Sequence, residues 1–373
     1  MKIHAWLAAA VVSAAVLSAP ARAEDLPPGA PTWLGLLAQA ADGPATRPAG
    51  ESKGDGLYPP YTTIFPAYVD EGLARWLDSD YFTQKHFQVD YAATLHCDRP
   101  VSGQSADMAI TQHDFGVRWL PFEDYVYTPT FNMRVLDIRT DARLPHTGEP
   151  FPEHLWDVRV SQTFFLPPAF GAVDVTMGSA SDRPFDSADE VTADITWFCG
   201  YPFASRGGVS PIFLVNYANN RDFLNRRVYP GVGLRMQPTE NLRYMVGFPF
   251  NAVHWRFLDR FTLSADYQFP RTVHSRLAWR AARPVELFAG FDWTNRRFFR
   301  HDRRTRDDRL WYLEKRVYGG LKWDFTKAGY FEVIGGYAFD RFFFEGDRYE
   351  DRSFNRINIA DGPFLMLQIG LRF

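Results

Sequence analysis

The strongest constraint on this chain is an alternation of apolar and polar residues that begins near residue 87 and runs to the end. In 261–269, Phe261, Leu263, Ala265, Tyr267 and Phe269 fall on one side, and Thr262, Ser264, Asp266 and Gln268 on the other. In 285–294, Val285, Leu287, Ala289, Phe291 and Trp293 oppose Glu286, Phe288, Gly290, Asp292 and Thr294. Val317, Gly319, Leu321, Trp323 and Phe325 oppose Tyr318, Gly320, Lys322 and Asp324, and Phe331, Val333, Tyr337 and Phe339 oppose Glu332, Gly336 and Asp340. Successive side chains of a strand point to opposite faces, so period two means strands with one apolar and one polar face. Sixteen candidate strands start near Phe87, Ala106, Tyr125, His154, Gly171, Glu190, Pro211, Val228, Leu242, Ala252, Phe261, Thr272, Val285, Trp311, Tyr330 and Pro363. The strands starting at Leu242 and Ala252 are short for a membrane crossing, which needs about 9–11 residues. Leaving out that hairpin gives fourteen.

The connections near the C-terminus alternate in length. Ala281–Pro284 and Thr326–Gly329 are tight, whereas Asn295–Leu310 and Phe344–Gly362 are long and charged. Short turns on one side and long polar loops on the other characterise outer-membrane barrels. A secreted β-sandwich is the competing architecture. Against it stand aromatics at strand ends (Phe261, Phe269, Trp279, Trp293, Trp311, Tyr312, Trp323, Phe325, Tyr330), which fit interfacial girdles. Mid-strand charges on the polar faces suit a polar interior, though a sandwich's solvent face allows them too, and recurrent mid-strand glycines (Gly290, Gly319, Gly320, Gly335, Gly336) fit a curved, closed sheet. The expected fold is therefore all-β, a closed antiparallel transmembrane β-barrel of about 14–16 strands over 85–373. In lipid only such closure leaves no unpaired strand edge.

Residues 1–23 read as a signal peptide: Lys2, an apolar stretch from Ala5 to Leu17, and the small-x-small site Ala21-Arg22-Ala23. Residues 24–84 read as a flexible Pro/Gly-rich periplasmic segment with one or two short helices, near Thr32–Ala41 and Asp70–Asp78. At the other end Leu365, Leu367, Ile369, Leu371 and Phe373 share one face. Alternation closing on a terminal aromatic resembles the signal read by the outer-membrane assembly machinery, with Ile369, Leu371 and Phe373 at its core. Beyond the first 23 residues no run of 18 apolar residues occurs, which excludes a helical membrane protein. A net charge of −3 disfavours nucleic-acid binding.

Several stretches carry a resemblance: Pro230-Gly231-Val232-Gly233, Gln237-Pro238-Thr239-Glu240-Asn241 with Gly247-Phe248-Pro249, Arg316 to Leu321, and Gly335 to Arg341. Their order from Val228 to the end resembles an uncharacterised family of bacterial outer-membrane β-barrel proteins. The resemblance implies fold and location and assigns no residue a role.

The search for chemistry finds little. His274-Ser275 cannot act as a pair, because neighbouring strand residues face opposite ways. Asp182, Asp186, Asp189 and Glu190 form an acidic loop with no histidine close in sequence, read as solvated. His96-Cys97 offers two soft ligands, too few for a metal site. Cys97 and Cys199 fall at opposite ends of the expected barrel, which argues against a disulfide. The loop from Arg296 to Arg309 holds seven Arg, one His and three Asp. It reads as a solvated loop with internal Arg–Asp pairs, or alternatively as a constriction, an anion vestibule or a contact for lipopolysaccharide phosphates. No enzyme activity and no cofactor are expected. The expected lumen residues are Asp266, Arg276, Glu286, Asp292, Lys322, Asp324, Glu332 and Asp340. The expected function is a porin-like or transport channel in the cell outer membrane for small hydrophilic solutes. Its expected partners are membrane lipids and the barrel-assembly machinery. A non-conducting envelope barrel is the alternative.

Overall fold

The computed structural model describes residues 87–118, 127–144, 147–165, 171–200, 209–239, 241–326 and 328–372. The expected signal peptide, the Pro/Gly-rich segment and Phe373 lie outside them. The strands are β1 (Gln88–Pro100), β2 (Asp107–Arg118), β3 (Tyr127–Thr140), β4 (His154–Phe165), β5 (Ala172–Ser181), β6 (Val191–Gly200), β7 (Val209–Ala218), β8 (Val228–Thr239) and β9 (Leu242–Phe248). They continue as β10 (Phe250–Leu258), β11 (Phe261–Gln268), β12 (Thr272–Ala282), β13 (Val285–Phe298), β14 (Arg309–Trp323), β15 (Gly329–Gly346), β16 (Arg356–Ile359) and β17 (Gly362–Arg372). From β1 to β16 each pairs antiparallel with its neighbour in sequence, and β1 closes the ring on β17 in register Gln88↔Arg372 to His96↔Phe364. The short β16 pairs with the far end of β15 and bridges Val101 just past β1, so β17 also pairs with β15 and sixteen strands form the wall. The short hairpin β9–β10 belongs to that wall.

Burial on these strands runs opposite to that of a soluble sandwich. On β17 Leu365, Leu367, Ile369 and Leu371 are exposed while Gln368 is 2% exposed; on β14 Val317 and Leu321 are exposed while Arg316 and Lys322 are buried. An apolar outside around a charged inside suits a lipid surround and a polar interior. Outward aromatics gather at the short-turn end, where Phe261 stacks on Trp279 with centroids 6.2 Å apart. Phe223, Phe248 and Phe269 gather at the other end. Three residues expected in the girdles are elsewhere. Trp311 and Tyr312 are fully buried, and Tyr330 points inward, donating to Asp90 at 2.8 Å.

The rim is uneven. β9, β10 and β11 have 7, 9 and 8 residues, and at the long-loop end β9 runs into β10 through Pro249 alone and β11 into β12 through 269–271. β13, β14 and β15 have 14, 15 and 18. At about 3.3 Å per residue the last is about 60 Å of chain, roughly twice the hydrocarbon thickness. The surplus forms a three-stranded tongue, made of the distal parts of β13, β14 and β15.

Candidate functional site

The tongue is apolar on both faces. Leu310, Trp311, Tyr312 and Leu313 of β14 and Phe342, Phe343 and Phe344 of β15 are all buried. One face, through Phe298, Leu310, Tyr312 and Phe343, joins a core with Met108, Ile110, Leu136, Ile138, Leu155 and Ala180 of β2–β5. These wall residues face the barrel interior, so the core fills the mouth. The other face, through Trp311, Leu313, Phe342 and Phe344, is covered by Tyr349 of the 3-10 turn Tyr349–Ser353. Trp311 Nε1 donates to the Gly346 carbonyl at 2.9 Å, which satisfies its one polar atom. Fully burying a large apolar side chain contributes about 1.5–3 kcal/mol, so several such residues fasten the tongue.

The tongue tip reaches β5. Phe299 N donates to Ala180 O at 2.7 Å and Asp182 N donates to Phe299 O at 3.3 Å, forming one parallel bridge beside Ser181. In the ring of sixteen, β5 is eight steps from β13 in either direction, so the contact spans the mouth. Polar contacts surround it. His301 Nδ1 lies 2.8 Å from Asp182 Oδ2, Arg306 lies 2.6 Å from Asp189, and Arg303 lies 3.9 Å from Glu190. Arg300 pairs with Glu149 and Glu345. The β7–β8 loop holds the other side, where Arg309 Nε donates to Asn220 at 3.1 Å and Asn295 donates to Asp222 at 2.8 Å. Burial drives the Glu190 carboxyl above the ordinary carboxylate range, with Asp182 adding to the rise; Arg303 and a backbone donor at Asp186 oppose it.

These contacts correct two expectations. The acidic loop is not simply solvated, and it does have a histidine, brought from 119 residues away. The arginines of 296–309 pair mainly with other loops, since sequence neighbours in a tight hairpin diverge while the mouth brings the acidic loop underneath. Asp182, His301 and Asp302 come close enough to hold an ion together. Their ligand atoms are already engaged, however, with Asp182 taking His301 and Asp302 taking Arg300 at 2.7 Å. We therefore read them as a clasp between loops.

Below the tongue the interior is lined by charge. Arg276 donates to Glu286 at 2.9 Å and to Glu332 at 3.3 Å, with its guanidinium 3.5 Å from the Phe288 centroid. Asp292 accepts from Arg316 at 3.1 Å and from Tyr318 at 3.3 Å, and lies 3.0 Å from His274 Nδ1. Asp266 is half-buried on β11, in register with His274. Lys322 is buried, 5.0 Å from the Tyr330 ring. Two expected lumen residues are placed otherwise. Asp324 follows β14 and is exposed, 3.4 Å from Lys322. Asp340 is exposed at φ 49° in a bulge where Asp340 and Arg341 together face Glu314. The extra residue shifts the phase, so Asp340 bonds outward-facing Lys315 at 2.8 Å and Arg341 takes the inward position. Period counting therefore misses Arg341, and it also passed over Glu314, Arg296, Asp114 and Arg134. Glu314 was readable, since it shares its face with Arg316 and Tyr318.

The weak catalytic candidates separate. Ser275 donates to the Phe291 carbonyl at 3.3 Å, on the face opposite His274. His96 is buried inside while Cys97 is exposed. Cys97 and Cys199, on β1 and β6, are not joined to each other.

No family model matches the chain, and no curated protein does. Solved structures similar to it include an outer membrane channel from Pseudomonas putida F1, at 9% identity and TM-score 0.35, covering 77% of this chain and 96% of that one. A mutant of the Rh. blastica porin (10%, TM-score 0.30, 77% and 99%) and the outer membrane channel DcaP of Acinetobacter baumannii (9%, TM-score 0.27, 77% and 96%) are others. At these values the fold rests on the strand pairing itself, which is that of a closed sixteen-stranded antiparallel barrel.

Proposed function

We propose that this chain is an outer-membrane transport barrel for small hydrophilic solutes whose mouth, in the conformation described, is shut by its own tongue. A single observation carries the reading: the tip of β13–β14 is bonded to the strand diametrically opposite, above a polar interior. A wall of sixteen strands is wide enough for an aqueous lumen. Mixed charge along it, with Arg276, Arg316 and Lys322 against Glu286, Asp292 and Glu332, favours passage of polar solutes without strong ion selection. We read the role as passage rather than catalysis. The apolar core in the mouth also supports a second reading, a barrel that never conducts and serves the envelope structurally. Replacing 299–308 by a two-residue turn separates them. The transport reading expects steady single-channel steps in a planar bilayer from the shortened protein and rare, brief steps from the parent. Silence from both, with the protein folded and inserted, would favour the structural barrel.

A further inference from the structure

At the root of the tongue, charges do not match. Among the described residues four guanidinium groups, those of Arg134, Arg296, Arg316 and Arg341, are buried there on the inner face with three buried carboxylates, Asp114, Asp292 and Glu314. Arg134 is bonded to Asp114, and Arg316 to Asp292. Glu314 is left to serve Arg296, Arg316 and Arg341 together, at 3.8, 3.8 and 3.9 Å, and His96 at 3.6 Å. These separations are longer than a direct hydrogen bond. Among the described residues the only short contact to Glu314 is from the Tyr312 hydroxyl at 2.8 Å. Four buried nitrogens of these arginines have no hydrogen-bond partner among the described residues: Nε of Arg296, Nε of Arg316, and Nε and Nη2 of Arg341. Against them Glu314 Oε1 is an unused buried acceptor.

Guanidinium donors left unmet in a closed interior are strongly destabilising. Water accepts hydrogen bonds there but neutralises nothing, and it brings donors of its own to a place already rich in them. An anion supplies acceptors alone and cancels the excess charge. We propose that Arg296, Arg316 and Arg341 form a binding site for a small inorganic anion of the halide type at the root of the tongue. These arginines come from β13, β14 and β15, one from each tongue strand. A bound anion therefore ties the three strands together where the tongue leaves the wall. That this holds the mouth shut rests on the transport reading above; the site itself does not.

The first test is diffraction from crystals of the full chain grown in bromide. An anomalous peak within hydrogen-bond reach of at least two of the three guanidinium groups is expected. Ordinary water density there, with no anomalous signal, would overturn the proposal. The second test compares thermal unfolding in sodium chloride and in sodium gluconate at equal ionic strength, gluconate being too bulky for the enclosed site. The wild type should unfold at least about 2–4 °C higher in chloride, and Arg341→Met should lose that difference. Equal values for the wild type in both salts would also overturn it, whether or not the variant folds. A parent protein that conducts steadily while bromide is bound would remove the closed-mouth reading and leave the anion site standing.

Discussion

Arg276 shows how a charged residue is kept inside a barrel. Its guanidinium faces two carboxylates and lies on an aromatic ring, and the four residues come from β12, β13 and β15. Removing one partner of such a group leaves buried charge unmatched, at about 3–5 kcal/mol. Arg276→Met is expected to lower the stability of the folded barrel by that amount in urea titrations in detergent, whereas a loss under about 1 kcal/mol would mean that water already screens the triad. Gly370 is a second point of leverage. A Cβ there would meet the Tyr330 ring and the Asp90 carboxylate, whose hydrogen bond links β15 to β1 across β17. Gly370→Ala should slow barrel closure and lower the yield of heat-modifiable folded protein on gels, while Gly335→Ala, with open space at its Cβ, should not. At this scale alternation assigned Arg276, Glu286, Asp292 and Glu332 to the polar face. It failed at Asp340, because one bulged residue reverses every later side chain and leaves no mark in composition.

Strands were easily read, since each is long enough for period two to repeat; the tongue was not. Its signal was present in Leu310 to Leu313 and Phe342 to Phe344, contiguous apolar runs where the lower parts of the same strands alternate. Such runs mean a strand covered on both faces. What sequence could not show is the cover, because Met108, Leu136 and Ala180 are far away along the chain. Docking of the loops carries its own pH dependence. Glu190 has a carboxyl pKa raised by burial, so docking is favoured below the ordinary carboxylate value of 4.5 and loses that contribution as pH rises through the raised value. Glu190→Gln is neutral throughout. It should unfold at a higher temperature than the parent at pH 8 and at the same temperature at pH 4. A parent at least as stable as the variant at pH 8 would show that Arg303 fully compensates the buried charge.

For the whole molecule, alternation and turn spacing left fourteen or sixteen strands open; the pairing shows sixteen in the wall, closed β1 to β17, with the apolar faces exposed. The state of the mouth depends on contacts between loops far apart in sequence, whose charge patterns read alone suggested solvated segments. The central claim, that a porin-like barrel is shut by a tongue bonded to its opposite wall, is tested most directly by tethering that bond. Cysteines are placed by Ser181→Cys and Phe299→Cys in a background carrying Cys97→Ser and Cys199→Ser, and single-channel current is recorded in a planar bilayer. Oxidation should cross-link the pair and abolish the openings, and reduction should restore them in the same membrane. Steady conductance that is indifferent to a cross-link confirmed by mass spectrometry would contradict the account.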